Sequence, residues 1–340
     1  MFRRASIGID LGTCNTLIYV AGKGIIMSEP SVVAIDSGKR KVVAVGAMAK
    51  RMLYKTPGSI QVIRPLRGGV IADIESTEKM ISYFLSKVIP RFNFAKPRMA
   101  IGIPSTITEV ERRAVIECAY KVGASDVIVV PESLAAAIGA DIPIYEPSGH
   151  MICDIGGGTT EISVISLGDM VVSNAIRIGG DDFDEAVIKY VRSELGLIIG
   201  GSASERLKIE IGNVFPDKII EKVEIKGTDA SSGLPKRMEI DSEQVRDALK
   251  EPVLKIVDEI KSILSKTPPE LAADIVEHGI VMTGGGSLLK GFPTLISKET
   301  GVSVILAPNP TDCVVMGAGR FFENTKGIEN TRSIYDNLNR

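Results

Sequence analysis

The sequence predicts an α/β protein built from two related halves, and three observations carry that prediction. Segments whose apolar residues recur at every second position alternate with segments of helical period. A pattern of apolar strand, aspartate, glycine turn, threonine and second strand occurs twice, as IGIDLGTCNTLIYV (Ile7 to Val20) and ICDIGGGTTEISVI (Ile152 to Ile165), with Asp10 and Asp154 lying 144 residues apart. A length of 340 residues with 44% hydrophobic and 24% charged content is enough for two cores and excludes a disordered chain or a coiled coil. A repeat this long means paired domains rather than a solenoid.

In chain order, strands are expected at Ser6 to Ile9 and Leu17 to Val20, at Val42 to Val45, at Met99 to Ile103 and at Val127 to Val130. The second half repeats the set with Met151 to Cys153, Ile162 to Ile165 and Ile280 to Met282. Between them, Ser76 is the expected cap of a helix whose Ile81, Phe84, Leu85 and Val88 share one face, and Asp181 that of another carrying Phe183, Val187, Tyr190 and Val191. Val245 to Leu264 aligns Val245, Leu249, Val253, Ile256 and Ile260, with Pro252 expected to break or kink the helix between two helical stretches. Polar segments at about 31–69 and 181–241 read as smaller subdomains inserted into the halves. The expected division is 1–142 plus 318–340 for the first domain and 143–317 for the second, facing each other across a cleft.

Composition excludes several functional classes. Forty basic against 42 acidic residues leave a net charge of −2, so no global field draws the chain to nucleic acid, and no nucleic-acid partner is expected. Two histidines, and four cysteines without a CxxC pair, speak against a zinc cage or disulfide framework and fit a reducing cytosol. No apolar run approaches the ~20 residues of a membrane-spanning helix, and the opening MFRRASIGID does not read as a signal peptide. An intracellular protein is expected.

The glycine turns carry the chemistry. A glycine-rich turn exposes backbone N–H groups and lets a phosphate approach closely, so two facing turns can grip a polyphosphate. Neither is a Walker loop, since no Lys-Ser/Thr pair follows, and neither is a Rossmann fingerprint, since a strand rather than a helix follows the glycines. Asp10 and Asp154 at these turns would repel phosphates unless a magnesium ion, held through water, intervened. A third cluster, IVMTGGGSLLKGFP, precedes a helical pattern and can let an adenosine lie against its backbone, or can be a structural turn. Glu205 and Lys208, three apart on one helical face, suit nucleoside hydroxyls and ring nitrogens, or form a solvated ion pair. Glu132, at the end of an apolar strand and the start of the alanine-rich PESLAAAIGA helix, either caps that helix or orients a water toward a γ-phosphate.

The set DLGTCNTL (Asp10 to Leu17), PESLAAAIG (Pro131 to Gly139), DIGGGTTE (Asp154 to Glu161), IRIGGDDFDEAV (Ile176 to Val187), ERLKIEIG (Glu205 to Gly212) and TGGGSLLKG (Thr283 to Gly291) closely resembles the MreB family of bacterial actins, in order from about Ile7 to Phe322. That resemblance implies the actin-like fold: two ribonuclease-H-like domains, each with an inserted subdomain, clasping ATP and Mg2+. It implies filaments on the inner face of the cell membrane that guide wall synthesis and cell shape together with membrane proteins of that machinery. By the same resemblance, Gly12, Thr13, Cys14 and Asn15 form the first phosphate loop and Gly156, Gly157, Gly158 and Thr159 the second. Asp10 and Asp154 are the metal-associated carboxylates. Glu205, Lys208, Gly284, Gly285, Gly286 and Ser287 contact the nucleoside. Glu132 is the hydrolysis-linked glutamate, with Thr159 helping to set the water. The family usually has alanine where Cys14 stands, Glu-Glu-Pro where this chain reads Pro131, Glu132 and Ser133, and a more charged stretch at Gly201 to Ala203.

Two surface features belong to the same expectation. Val110 stands among Glu109, Glu111, Arg112 and Arg113, at the position where the family's paired protofilaments meet. Phe92 and Phe94 lie in a loop with Arg91, Lys96 and Arg98; aromatic wedges beside cations suit an anionic bilayer, where the family's loop inserts, or fold back onto the core. The competing functions are a small-molecule kinase and a chaperone-type ATPase of the same fold superfamily. No acidic residue beside the second turn is read as marking the sugar site a kinase would need, and the chaperone reading calls for a C-terminal peptide-binding domain.

Overall fold

A computed structural model of the protein describes residues 5–39, 41–53, 55–89, 96–216 and 218–322. The first half opens with β1 (Ser6–Leu11), β2 (Asn15–Val20) and β3 (Gly24–Pro30). An insertion follows, of β4 (Val33–Asp36), β5 (Lys41–Val45), α1 (Ala47–Met52) and β6 (Ile60–Ile63), and then the short hairpin β7 (Leu66–Arg67) and β8 (Val70–Ile71). The chain returns through α2 (Ile74–Val88), β9 (Arg98–Ile103), α3 (Glu109–Lys121), β10 (Asp126–Pro131) and α4 (Glu132–Gly139).

The second half repeats this plan with β11 (His150–Ile155), β12 (Thr160–Ser166), β13 (Asp169–Ile176) and α5 (Gly180–Leu195). Its insertion is β14 (Leu197–Ile198), α6 (Gly201–Ile211), β15 (Lys222–Asp229) and β16 (Pro235–Asp241). Then come α7 (Ser242–Lys266), α8 (Pro269–His278), β17 (Ile280–Thr283), a 3-10 turn (Gly285–Leu288), α9 (Phe292–Thr300), β18 (Val304–Leu306) and α10 (Cys313–Arg320).

The two principal sheets have the same topology. The first is ordered β10-β9-β1-β2-β3 and the second β18-β17-β11-β12-β13. In each, the first three strands form an antiparallel meander and the last two add in parallel beside the first strand. Both meanders carry a bulge between the second and third strands, at Ile18/Tyr19 and at Val164/Ile165. The repeat of Asp10 and Asp154 is thus a repeat of whole sheets.

The halves join through α4 and α10, packed against each other by glycine. A Cβ on Gly139 would overlap the Cys313 carbonyl, and one on Gly317 would overlap the Ala135 carbonyl. Only glycine lets the two backbones come this close, which accounts for the small residues in AAAIGA and MGAGR. Around this crossing a core of Ala100, Val130, Leu134, Ile152, Ile165 and Val314 links both sheets.

Each of the eight expected strand segments lies within a strand, two expected helix caps need correction, and Pro252 does not break its helix. The N-cap of α2 is Asp73, whose Oδ1 accepts the Ser76 N–H at 2.9 Å, so Ser76 is the recipient of the cap. In α5, Asp181 lies inside the first turn; Gly179 is the cap, and its N–H is held by Asp182 Oδ2 at 2.8 Å. Pro252 does not interrupt α7, which runs unbroken with Pro252 buried inside it. Tertiary packing overrides a local cost of ~3 kcal/mol, because Val245, Leu249, Val253, Ile256 and Ile260 on both sides of the proline are buried in one core. Among the described residues no helix is long and apolar enough to cross a membrane. Val110, in the first turn of α3, is 78% exposed. Phe92 and Phe94 lie outside the described residues.

Candidate functional site

The turns from β1 to β2 and from β11 to β12 occupy the same place in their sheets and meet across the cleft. A Cβ on Gly157 would overlap Cys14 Sγ, and one on Gly158 would lie 2.8 Å from Thr13 Oγ1. Gly12 is equally constrained, since its Cβ would stand 2.6 Å from the Asn15 carbonyl oxygen. Side chains and neighbouring backbone fix both turns. Ser31 Oγ donates to the Gly12 carbonyl at 2.7 Å, and Thr13 Oγ1 accepts the Gly69 N–H at 2.9 Å. The first turn of α5 closes on the second loop through Gly180 N–H to Gly156 O at 3.0 Å and Asp181 N–H to Gly157 O at 2.8 Å. The Asp181 carboxylate reaches back across the cleft, accepting from Arg64 at 2.8 Å and from Cys14 Sγ at 3.4 Å. Burial and the neighbouring Asp181 push the Cys14 thiol up to about 12, so it stays protonated and acts as a small packing group.

Beside these turns opens a cavity of about 470 Å³, within the size range of small-molecule sites. Asp10, Gly12, Thr13, Cys14, Asn15, Glu132, Asp154, Gly156, Gly157, Thr159, Glu205, Lys208, Gly284, Gly285 and Gly286 all line it. Gly158 and Ser287 do not. Gly158 faces a second, charged cleft on the other side of the loops, and the buried Ser287 donates its Oγ hydrogen to the Gly284 carbonyl at 2.6 Å, holding the 3-10 turn. The lining also includes Gly69, Lys290, Pro310 and Thr311, which the glycine motifs do not reveal.

At the apolar end of the cavity the three glycines of TGGG differ in role. Gly284 has φ +78, and a Cβ there or on Gly286 would overlap Ile155, so these two let the loop lie on the end of β11. Gly285 meets only Thr311 Cγ2 at 3.9 Å, so of the three it alone has room for a side chain. Across from it, Lys208 Nζ donates to the Gly180 carbonyl at 2.8 Å and forms an ion pair with Asp184 Oδ1 at 2.8 Å. Glu205 does not pair with Lys208. It accepts from Lys50 of α1 at 2.9 Å, tying the two insertions together over the cleft.

Three carboxylates, Asp10, Glu132 and Asp154, line the cavity, and a fourth, Glu161, lies buried beside Asp154 and outside the lining. Asp10 and Asp154 occupy matching positions in β1 and β11. Burial, with the charge of Asp154 second, raises Asp10 to about 7; burial raises Asp154 to about 6, against the opposing hydrogen bond from Thr283 Oγ1 at 2.6 Å. Glu132, the first residue of α4, is raised well above the usual carboxylate range by burial and then by Glu161, Asp10 and Asp154. Glu161, fully buried directly opposite Asp154 in the β11–β12 ladder, is raised to about 7, chiefly by burial. Sequence reasoning passes over Glu161; the available signal is a lone acid in an otherwise apolar and small-residue strand, TEISVIS.

Among the described residues no lysine or arginine forms an ion pair with any of these four acids. Desolvated carboxylates without a cationic partner fit a divalent cation, which would supply the missing charge. No three His, Cys, Asp or Glu side chains among the described residues converge to hold a metal directly.

The MreB/Mbl protein family profile matches residues 4–330. The chain is 49% identical over 324 residues to the cell shape-determining protein Mbl of Bacillus subtilis, covering 95% of this chain and 97% of that one. It is 47% identical over 322 residues to the cell shape-determining protein MreB of Escherichia coli, covering 93% of each. Among solved structures, MreB5 of Spiroplasma citri bound to AMPPNP superposes with a TM-score of 0.91 at 38% identity, over 96% of this chain and 99% of that one. Repeated sheets, facing glycine turns and these likenesses lead to one assignment: the chain belongs to the MreB/Mbl family and has the actin-like fold.

Proposed function

We propose that this protein is a cytoskeletal ATPase that binds ATP with Mg2+ in the cleft and polymerises into filaments. The observation that carries the reading is the meeting of two glycine turns above carboxylates that lack a cationic partner. Backbone N–H groups of 12–15 and 157–159 would hold the phosphates, with the Gly156 N–H closing the second loop on the Thr159 carbonyl at 2.8 Å, and Gly285, Glu205 and Lys208 would meet the nucleoside. The ion would neutralise charge developing on the phosphates, with Asp10 and Asp154 holding its water shell. Glu132, at the cavity floor, and Thr159 would orient the attacking water. The AMPPNP in the MreB5 structure supports an adenine nucleotide, and the names of the Mbl and MreB relatives support a role in cell shape.

Self-association through the Val110 face, attachment of Phe92 and Phe94 to an anionic membrane, contact with membrane proteins of the shape machinery and a location on the inner face of the cell membrane belong to the same proposal. So does the domain division. The first domain would comprise 1–142 with 318–340, and the second 143–317. Calorimetric titration with ATP tests the site: binding should require Mg2+ and weaken in Asp154→Ala. Equal affinity with EDTA, or in that variant, would overturn the roles given to the carboxylates.

A further inference from the structure

Resting on the hydrolysis reading above, we infer that Glu161 is a positioning residue: from the second half it caps the helix that carries Glu132 and so sets that carboxylate at the cleft. Helix α4 begins at Glu132 with Pro131 at its N-cap, and Pro131 has no side-chain group to accept the free N–H groups of the first turn. Glu161 Oε2 accepts the Ser133 N–H at 3.2 Å, one residue beyond Glu132. Its Oε1 accepts the Ser105 N–H, in the loop after β9, at 2.7 Å. One carboxylate on β12 thus holds two segments of the other half, and it does so at 0% exposure, where water cannot replace it.

A second bond repeats the tie. Ser163, two residues along β12, donates from its Oγ to Ser133 Oγ at 2.9 Å. The first turn of α4 is therefore registered against β12 by both the backbone and the side chain of Ser133. Glu161 touches no part of the 470 Å³ cavity, so it acts on the reaction only through where it puts Glu132. A water-orienting group displaced by ~1 Å can lose 10²-fold in rate, whereas the phosphate loops that bind the nucleotide are held by other bonds.

The test uses the full-length chain with ATP, comparing the parent with Glu161→Gln, Glu161→Ala and Glu132→Ala. Equilibrium affinity is read with a fluorescent ATP analogue and single-turnover phosphate release at saturating ATP, and thermal unfolding confirms that each variant is folded. Glutamine keeps one acceptor oxygen and turns an amide N–H toward the other donor, so Glu161→Gln should slow release roughly tenfold; alanine leaves both N–H groups unpaired and should slow it by roughly 10²-fold. ATP affinity should stay within about threefold in both. Parent-like turnover in both Glu161 variants beside a slow Glu132→Ala overturns the inference alone. Parent-like turnover in all three overturns the hydrolysis reading with it. Affinity falling in step with turnover would show that Glu161 merely supports the fold, and this too overturns the inference. If Glu161→Ala does not fold, the conservative glutamine variant decides.

Discussion

Replacing Asp10 by asparagine isolates the electrostatic cost of the site in the nucleotide-free protein. The folded chain raises Asp10 from 3.8 to about 7, by burial first and Asp154 second. A carboxyl raised on folding binds protons more tightly in the native state, so stability is greatest below pH ~4 and falls as pH rises toward 7. At 1.36 kcal/mol per pH unit, the penalty is roughly 2 kcal/mol at pH 5 and roughly 4 kcal/mol at pH 8. Asparagine has nearly the same shape and no charge, and whatever its amide costs to bury does not change with pH. The stability of Asp10→Asn relative to the parent should therefore rise by about 2–3 kcal/mol between pH 5 and pH 8. Urea unfolding in EDTA at the two pH values measures this directly. Mg2+ and ATP should remove much of the difference by stabilising the parent more than the variant. Parallel pH dependence in the two proteins would refute the claim that Asp10 is held desolvated and without a compensating cation.

Three further outcomes follow from other parts of the molecule. Gly317→Ala places a methyl group against the Ala135 carbonyl at the α4–α10 crossing and should lower stability by about 1–3 kcal/mol in urea unfolding, with unchanged stability refuting the packing account. Val110→Glu lies on an exposed turn and should change stability by less than ~0.5 kcal/mol while giving single protofilaments in electron micrographs; surviving paired filaments would remove Val110 from the lateral contact. Full burial of two phenylalanines is worth roughly 3–6 kcal/mol, and a filament presents many copies. Phe92→Ser with Phe94→Ser should therefore abolish co-flotation with anionic liposomes without preventing assembly, and retained flotation would exclude that loop as the anchor.

What the sequence reveals of this fold is what local chemistry dictates. The two hairpins were legible because a glycine turn after an aspartate, between alternating strands, is a contiguous signal, and its recurrence announced the matching sheets. β15 and β16 were not, since KVEIKGTD and PKRMEID are short, mostly polar and exposed on an inserted sheet. The caps of α2 and α5 are not fixed by local sequence, because Asp73 and Ser76, or Gly179 and Asp181, offer competing starts until the backbone direction is known. At the site, the motifs name residues that line one cavity, Gly158 and Ser287 excepted, but they do not name those residues' partners. Glu205 pairs with Lys50, 155 positions away, and Glu161 caps a helix that begins 29 residues earlier in sequence, at Glu132, in the other half. The close approach of Gly139 to Cys313 is likewise a product of the tertiary fold that no window of sequence contains.

The central claim is that nucleotide in the cleft drives this chain to assemble. Sedimentation of the purified protein at increasing concentration, with ATP and Mg2+, with ATP and EDTA, and with neither, tests it most directly. The account predicts a concentration threshold above which the protein pellets with ATP and Mg2+, with filaments in the pellet, and a far higher threshold in the other two conditions. Identical sedimentation in all three, or a protein that stays in the supernatant throughout, would contradict it.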